Sequence, residues 1–162
     1  MIEEKITLAT LAIIALIALA LIFQFVNPSF SEPFSELAIL GPDMKLTGYP
    51  HEVSVGENFT LYLFVGNHEG HTMFYEVMVK LVNNQTTLST SSPLNASVLA
   101  TYYFIIMNNQ NATKKIVLSI PYEGTNLRLV FELWAFSASS NSFYYKGIST
   151  YIWLNVTASK SV

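Results

Sequence analysis

The chain has 162 residues, of which only 12% are charged, with a net charge of −3 and no cysteine. Eight Lys and Arg in all, with no basic run beyond Lys114-Lys115, cannot neutralise a row of phosphates, so nucleic acid is excluded as a partner. Without cysteine, neither a disulfide brace nor thiol chemistry is open to it.

Residues 1–5 carry Glu3 and Glu4 against Lys5 and the terminal amine, a nearly neutral leader. Residues 6–26 (ITLATLAIIALIALALIFQFV) then run without a charge, Gly or Pro. As a helix rising about 1.5 Å per residue, such a run matches the roughly 30 Å hydrocarbon core of a bilayer. A cleaved signal would show a basic start and a small-x-small site beyond its apolar part. Here Ala18-Leu19-Ala20 lies inside the run, and Ile6 stands after Lys5 where a pilin-type signal places a small residue. An uncleaved anchor fits better than a cleaved signal or a pilin-type helix. Lys5 before the run, and Glu32, Glu36 and Asp43 against Lys45 after it, predict a cytoplasmic N-terminus and an extracellular remainder.

Residues 27–34, with Pro28 and Pro33, predict a stalk linker to a domain over 35–158. In that domain the periodicity changes from helical to two. Phe59, Leu61, Leu63 and Val65 share one face of a strand over 58–65. Tyr75, Val77, Val79 and Leu81 do so over 73–82. Residues 100–107 are apolar or aromatic on both faces, which predicts a covered or central strand. Further strands are expected at 35–40, 116–120, 127–136 and 148–156. Turn signals separate them: Gly41-Pro-Asp43, Asn83-Asn84, Asn108-Asn109 and Glu123-Gly124. The segment 53–67 looks like an early hairpin closed at Gly56-Glu57. About seven short strands predict an immunoglobulin-like antiparallel β-sandwich.

Five N-x-S/T sequons, at Asn58, Asn84, Asn95, Asn111 and Asn155, lie on one side of the apolar run, as N-glycosylation outside the membrane requires. Chance alone gives about two such matches in so Ser- and Thr-rich a region.

The order Ile39-Leu-Gly-Pro42, Tyr49-Pro50, Val55-Gly-Glu-Asn58, Val65-Gly-Asn-His-Glu69 and Tyr75-Glu-Val-Met-Val-Lys-Leu81 resembles the archaeal family DUF1616. Leu127-Arg-Leu-Val-Phe-Glu-Leu-Trp134 and Tyr151-Ile-Trp-Leu-Asn-Val156 are similar to its closing strands, so the likeness spans about 34–157. It implies an archaeal source, membrane attachment and an extracytoplasmic β-rich domain, and no activity. Many members carry several more membrane helices, whose functions do not transfer to a chain with one.

The side-chain inventory predicts no enzyme. Asp43 is the only Asp, there is no G-x-S-x-G and no phosphate-cradling loop, and pairs such as Glu52 with Glu57 or Glu69 with Glu76 are ordinary surface carboxylates. No cofactor is implied. The group with chemical potential is Asn67-His-Glu-Gly-His-Thr-Met73, where His68, His71 and Met73 offer imidazole and thioether donors suited to copper. A polar hairpin connection between two strands accounts for it more simply. Phe143, Tyr144 and Tyr145 run consecutively, so at least one ring faces outward and could form a docking surface. The expected partners are membrane lipid, N-linked glycans and proteins of the cell envelope. The chain therefore reads as a membrane-anchored, non-catalytic interaction module of a surface layer or filament. Its alternatives are an accessory subunit of a redox or transport complex, a copper-binding external domain and a pilin-like subunit.

Overall fold

The computed structural model describes residues 2–26 and 32–158. They form two compact units, one up to Glu32 and one from Pro33. Most of the stalk expected over 27–34 lies outside the described residues.

The first unit is one helix, α1 (Ile2–Val26), 25 residues long. Its described side chains, Ile6, Thr10, Leu11 and those of 13–22, are all exposed. Thr10 returns its hydroxyl to the Ile6 carbonyl at 2.8 Å, which keeps a polar group satisfied inside an apolar helix. Among the described residues no helix is long and apolar enough to cross a membrane. The expected transmembrane segment is thus narrowed here to a helix.

The second unit is built from β1 (Phe34–Leu40), β2 (Glu52–Ser54), β3 (Phe59–His68), β4 (Met73–Val82), β5 (Val98–Ile106), β6 (Gln110–Leu118), β7 (Gly124–Ser137) and β8 (Ser142–Thr157). One sheet has the order β1-β3-β6 and the other β2-β8-β7-β4-β5. Their inner faces meet through Leu61, Leu63 and Val65 of β3, Tyr75, Val77 and Val79 of β4, and Leu129, Phe131 and Leu133 of β7. These alternate residues stand at 0% exposure, as the period of two requires. The mainly β sandwich is as expected, with every pairing antiparallel except β2 with β8.

Four expectations change. The segment 53–67 is not a hairpin, because β2 pairs with β8 and β3 with β1 and β6, in the other sheet. The Gly56-Glu57 turn carries the chain between sheets. β6 starts at Gln110, where the polar run Asn111 to Lys115 hides an edge strand with one solvated face. β8 starts at Ser142, because its register shifts opposite Leu133 and Trp134 and breaks the alternation. Finally, β5 is not central. It is the last strand of its sheet.

The loop from Asn83 to Ser97 folds back over the outer face of the five-stranded sheet. Lys80 and Glu132 form an ion pair there at 2.8 Å, with side chains only 5% and 2% exposed. Both also hold one residue of the loop: Lys80 donates to the Leu94 carbonyl at 2.7 Å, and Glu132 accepts the Leu94 N–H at 2.6 Å. Arg128 donates to the carbonyls of Asn83, Asn84 and Thr86, and Tyr145 to that of Ser89. Gly147, at φ 74°, is demanded by the same loop, since a Cβ there would stand 2.7 Å from the Thr90 carbonyl oxygen.

Two outcomes follow for chemical denaturation of the full chain. Glu132→Leu should cost about 3–5 kcal/mol, because it strands the Lys80 charge in a dry site. Gly147→Ala should cost about 1–3 kcal/mol through its left-handed backbone and the Thr90 contact.

Candidate functional site

The chain passes between the sheets twice at one end of the sandwich, from β3 to β4 and from β5 to β6. The two passages are tied together: Asn109 N–H donates to the Asn67 carbonyl at 2.8 Å, and Gly70 N–H to the Asn108 side chain at 2.8 Å. Between them lies Asn67, fully buried. Its amide donates to the carbonyls of His71 and Ile106, both at 2.8 Å. Its Oδ1 accepts the Glu69 N–H at 3.0 Å and the Tyr75 hydroxyl at 3.2 Å. Two donors and two lone pairs are the whole capacity of an amide side chain, and all four are used.

From Asn67 the polar contacts continue outward. Tyr75 and Ser35 hydroxyls stand 2.8 Å apart, Ser35 donates to Glu69 at 2.5 Å, and Lys146 of β8 donates to the same carboxylate oxygen at 2.8 Å. Burial alone pushes the Glu69 carboxyl up. The hydrogen bonds from Lys146 and Ser35, with the Lys146 charge, outweigh that and hold it below its usual range. Burial also pushes the Tyr75 hydroxyl up to about 12, against the Ser35 hydrogen bond and with help from the Glu69 charge. The groups of this junction are turned toward one another. Ser35 meets a carboxylate rather than an imidazole, and Asp43 lies in the exposed turn after β1, so the described residues form no Ser-His-Asp arrangement here.

The proposed copper ligands go separate ways. The His68 ring stacks on Phe34 with centroids 4.4 Å apart, and its nitrogens lie 3.3 Å from Asn109 Oδ1 and 3.6 Å from Glu36. His71 Nδ1 stands 3.0 Å from the Glu69 carbonyl, and Met73 is buried in the core. Among the described residues no group of three His, Asp or Glu could hold a metal ion. The segment is also not a hairpin connection, since it joins different sheets. Of the carboxylate pairs, Glu52 and Glu57 line one shallow depression with Val53, Ser54 and Thr157. Glu69 belongs to the junction, whereas Glu76 is buried on the outer face of β4.

That outer face is the second notable surface. Phe143 packs against Phe74 at 5.1 Å and Phe136 at 5.4 Å, with Tyr103 at 6.1 Å. The Tyr103 hydroxyl bonds the Glu76 carboxylate, whose charge pushes its pKa up. Beside this cluster Tyr103 is 50% exposed, Ile105 77% and Met107 66%. The three consecutive aromatics thus divide. Phe143 joins the cluster, Tyr145 packs on Trp134 at 5.7 Å near the covering loop, and Tyr144 is exposed with Lys146 over its ring. Further along, exposed Tyr151 and Trp153 flank the Arg128 guanidinium, each ring 5.5 Å from it.

Of the sequon asparagines, Asn58, Asn84, Asn95 and Asn111 are exposed. Asn155 is half-buried within the β2–β8 pairing, and its Oδ1 accepts the Asn126 N–H at 2.8 Å. Sequence reasoning passed over Ser35, Tyr75 and Lys146 as polar groups of a site. Asn67 and Glu69 stood within a noted motif, but their partners lie tens of residues away in the chain.

A family model for DUF1616, a domain of unknown function, matches residues 28–155. The chain belongs to the DUF1616 family. No curated protein matches it. Among solved structures, it is similar to the CARDB domain of a Pyrococcus furiosus protein in complex with di-metal ions. That match has 13% identity and a TM-score of 0.49, over 81% of this chain and 94% of that one. A beta-glucosidase from Listeria innocua matches at 12% identity and TM-score 0.45, over 79% of this chain and 16% of the enzyme. A chain from the complex of zinc 2-glycoprotein with prolactin inducible protein, from human seminal plasma, matches at 11% and 0.46. There the cover is 80% of this chain and 99% of that one. None of these likenesses brings a ligand or an activity to the DUF1616 chain.

The junction predicts two results. Asn67→Ala removes four hydrogen bonds and leaves buried partners unmatched, so about 2–4 kcal/mol of stability should be lost in denaturant titration. Because the Tyr75 pKa is raised in the folded chain, its contribution is complete below the ordinary tyrosine value near 10 and fades as pH rises toward about 12. Melting curves of the wild type should fall faster over that interval than those of Tyr75→Phe, and parallel curves would refute the assignment.

Proposed function

We propose that this DUF1616 chain is a membrane-anchored, extracytoplasmic interaction module of an archaeal cell envelope, N-glycosylated and without catalytic activity. The observation that carries this reading is the aromatic outer face, where Phe74, Tyr103, Phe136 and Phe143 cluster beside exposed Ile105 and Met107. Aromatic and Met side chains are enriched at protein interfaces, where they bury large areas. Anchoring is supported by the 21 uncharged residues at 6–26 and their helical backbone. The extracellular placement is supported by the flanking charges, and the glycans by four exposed sequons.

The test is recovery of the full chain from native membranes in mild detergent, with Ile105→Ser/Met107→Ser alongside. Ile105 is 77% exposed and Met107 66%, so folding should be unchanged while envelope proteins recovered with the wild type are lost. Redox or transport subunits in their place would make the chain an accessory subunit instead. Peptide mass spectrometry of the same material should find glycan on Asn58, Asn84, Asn95 or Asn111 and none on Asn155. Modification of Asn155 alone would contradict the exposure argument.

A further inference from the structure

The outermost strand of the five-stranded sheet has the composition of an inner one. β5 (VLATYYFII) contains no charge, Pro or Gly, and both of its faces are apolar or aromatic. Edge strands are ordinarily blunted by charge, Pro or brevity, because their unpaired N–H and C=O groups accept another strand. The other edges of this sandwich follow that rule. β6 carries Lys114 and Lys115, β1 carries Glu36, and β2 is three residues long.

One group does occupy the β5 edge. Lys114 Nζ donates to the Tyr103 carbonyl at 3.1 Å and lies 5.1 Å from the Phe104 ring. That carbonyl therefore faces away from β4. Outward-facing residues alternate along an antiparallel pair, so Thr101 and Ile105 present their backbone groups to the same side. A lysine side chain covers one acceptor there and leaves the neighbouring positions uncovered by it.

We propose that β5 is a strand-addition site whose occupant is β5 of a second copy, paired antiparallel about a two-fold axis, with Lys114 as a displaceable cap. The strand's chemistry selects this occupant. An uncharged segment meets itself without like-charge repulsion, whereas self-pairing of β6 would bring Lys against Lys and that of β1 Glu against Glu. Pairing would join two five-stranded sheets into one and place the exposed Tyr103 and Ile105 of both copies side by side on the same outer face. The proposal rests on the five-stranded sheet being the interacting side.

The chain's lack of cysteine makes the test clean. Single-cysteine variants Thr101→Cys, Tyr103→Cys and Ile105→Cys on β5, and Val117→Cys on exposed β6 as a control, are oxidised in the full-length protein in detergent, each alone and in equimolar pairs, and run on non-reducing gels. Directly opposed residues of an antiparallel pair lie about 4.5–5.5 Å apart at Cα, within disulfide reach. A residue meets its own copy only on the two-fold axis and elsewhere meets a different residue of the partner strand. Dimer bands should form for the β5 variants or mixed pairs that one axis position brings together, and hardly at Val117. Lys114→Ala should raise their yield severalfold. Equal bands for all variants and mixtures, no β5 band alone or mixed, or no response to Lys114→Ala would overturn self-pairing. If β5 stays monomeric while envelope proteins are still recovered with the wild type, self-pairing alone fails. If the dimer forms but nothing else is recovered, only the wider functional reading fails.

Discussion

A sandwich made by one chain must pass its backbone from sheet to sheet, and each passage breaks the ladder that satisfies peptide groups. Here two passages meet at one end, and a single amide side chain answers for both. Asn67 binds carbonyls at His71 and Ile106 while accepting from Glu69 and Tyr75. Aspartate would bring a charge and lose two donors, and a smaller residue would leave buried carbonyls bare. This corner fixes where β3 leaves one sheet and β4 enters the other. The Ser35–Glu69–Lys146 contacts extend the fixing to β1 and β8, so strands of both sheets converge on it.

The opposite face of the five-stranded sheet is handled in two ways. One part lies beneath the Asn83–Ser97 loop, held by a buried Lys–Glu pair, an arginine and a tyrosine. The other, around Phe143 and Tyr103, has no such cover from that loop. An outer face that carries this much aromatic area demands cover as the inner one does, and the chain supplies it for only part of that face. This asymmetry is what gives the interaction reading its physical content.

Much of the sandwich was legible because buried faces impose a period of two. β4 was bounded correctly at Met73 and Val82 from alternation alone, and the inward residues of β3 were named correctly. Where the signal failed, a competing cause is visible. The polar start of β6 faces water, the bulge before Ile148 shifts the phase of β8, and β2 is too short to show a period. Pairing partners are not written in local periodicity, so 53–67 looked like a hairpin and β5 looked central. The site was legible only as a motif. Asn67 and Glu69 stood out beside the histidines, but the histidines turned out to be peripheral. The hydroxyls and the lysine that complete the junction could be found only by folding.

The parallel ladder between β2 and β8 has a consequence for how this domain comes into being. Its partners are separated by about 100 residues, the kind of pairing that is slow to close because a long loop must be ordered first. β8 is also the last strand of the sandwich, and β7, the longest neighbour it covers, waits for it. During synthesis β2 and the outer edge of β7 have no partner strand until residues 142–157 arrive. The exposed flank of β7 is then the part of the sandwich most open to misassembly in the interval before β8 docks.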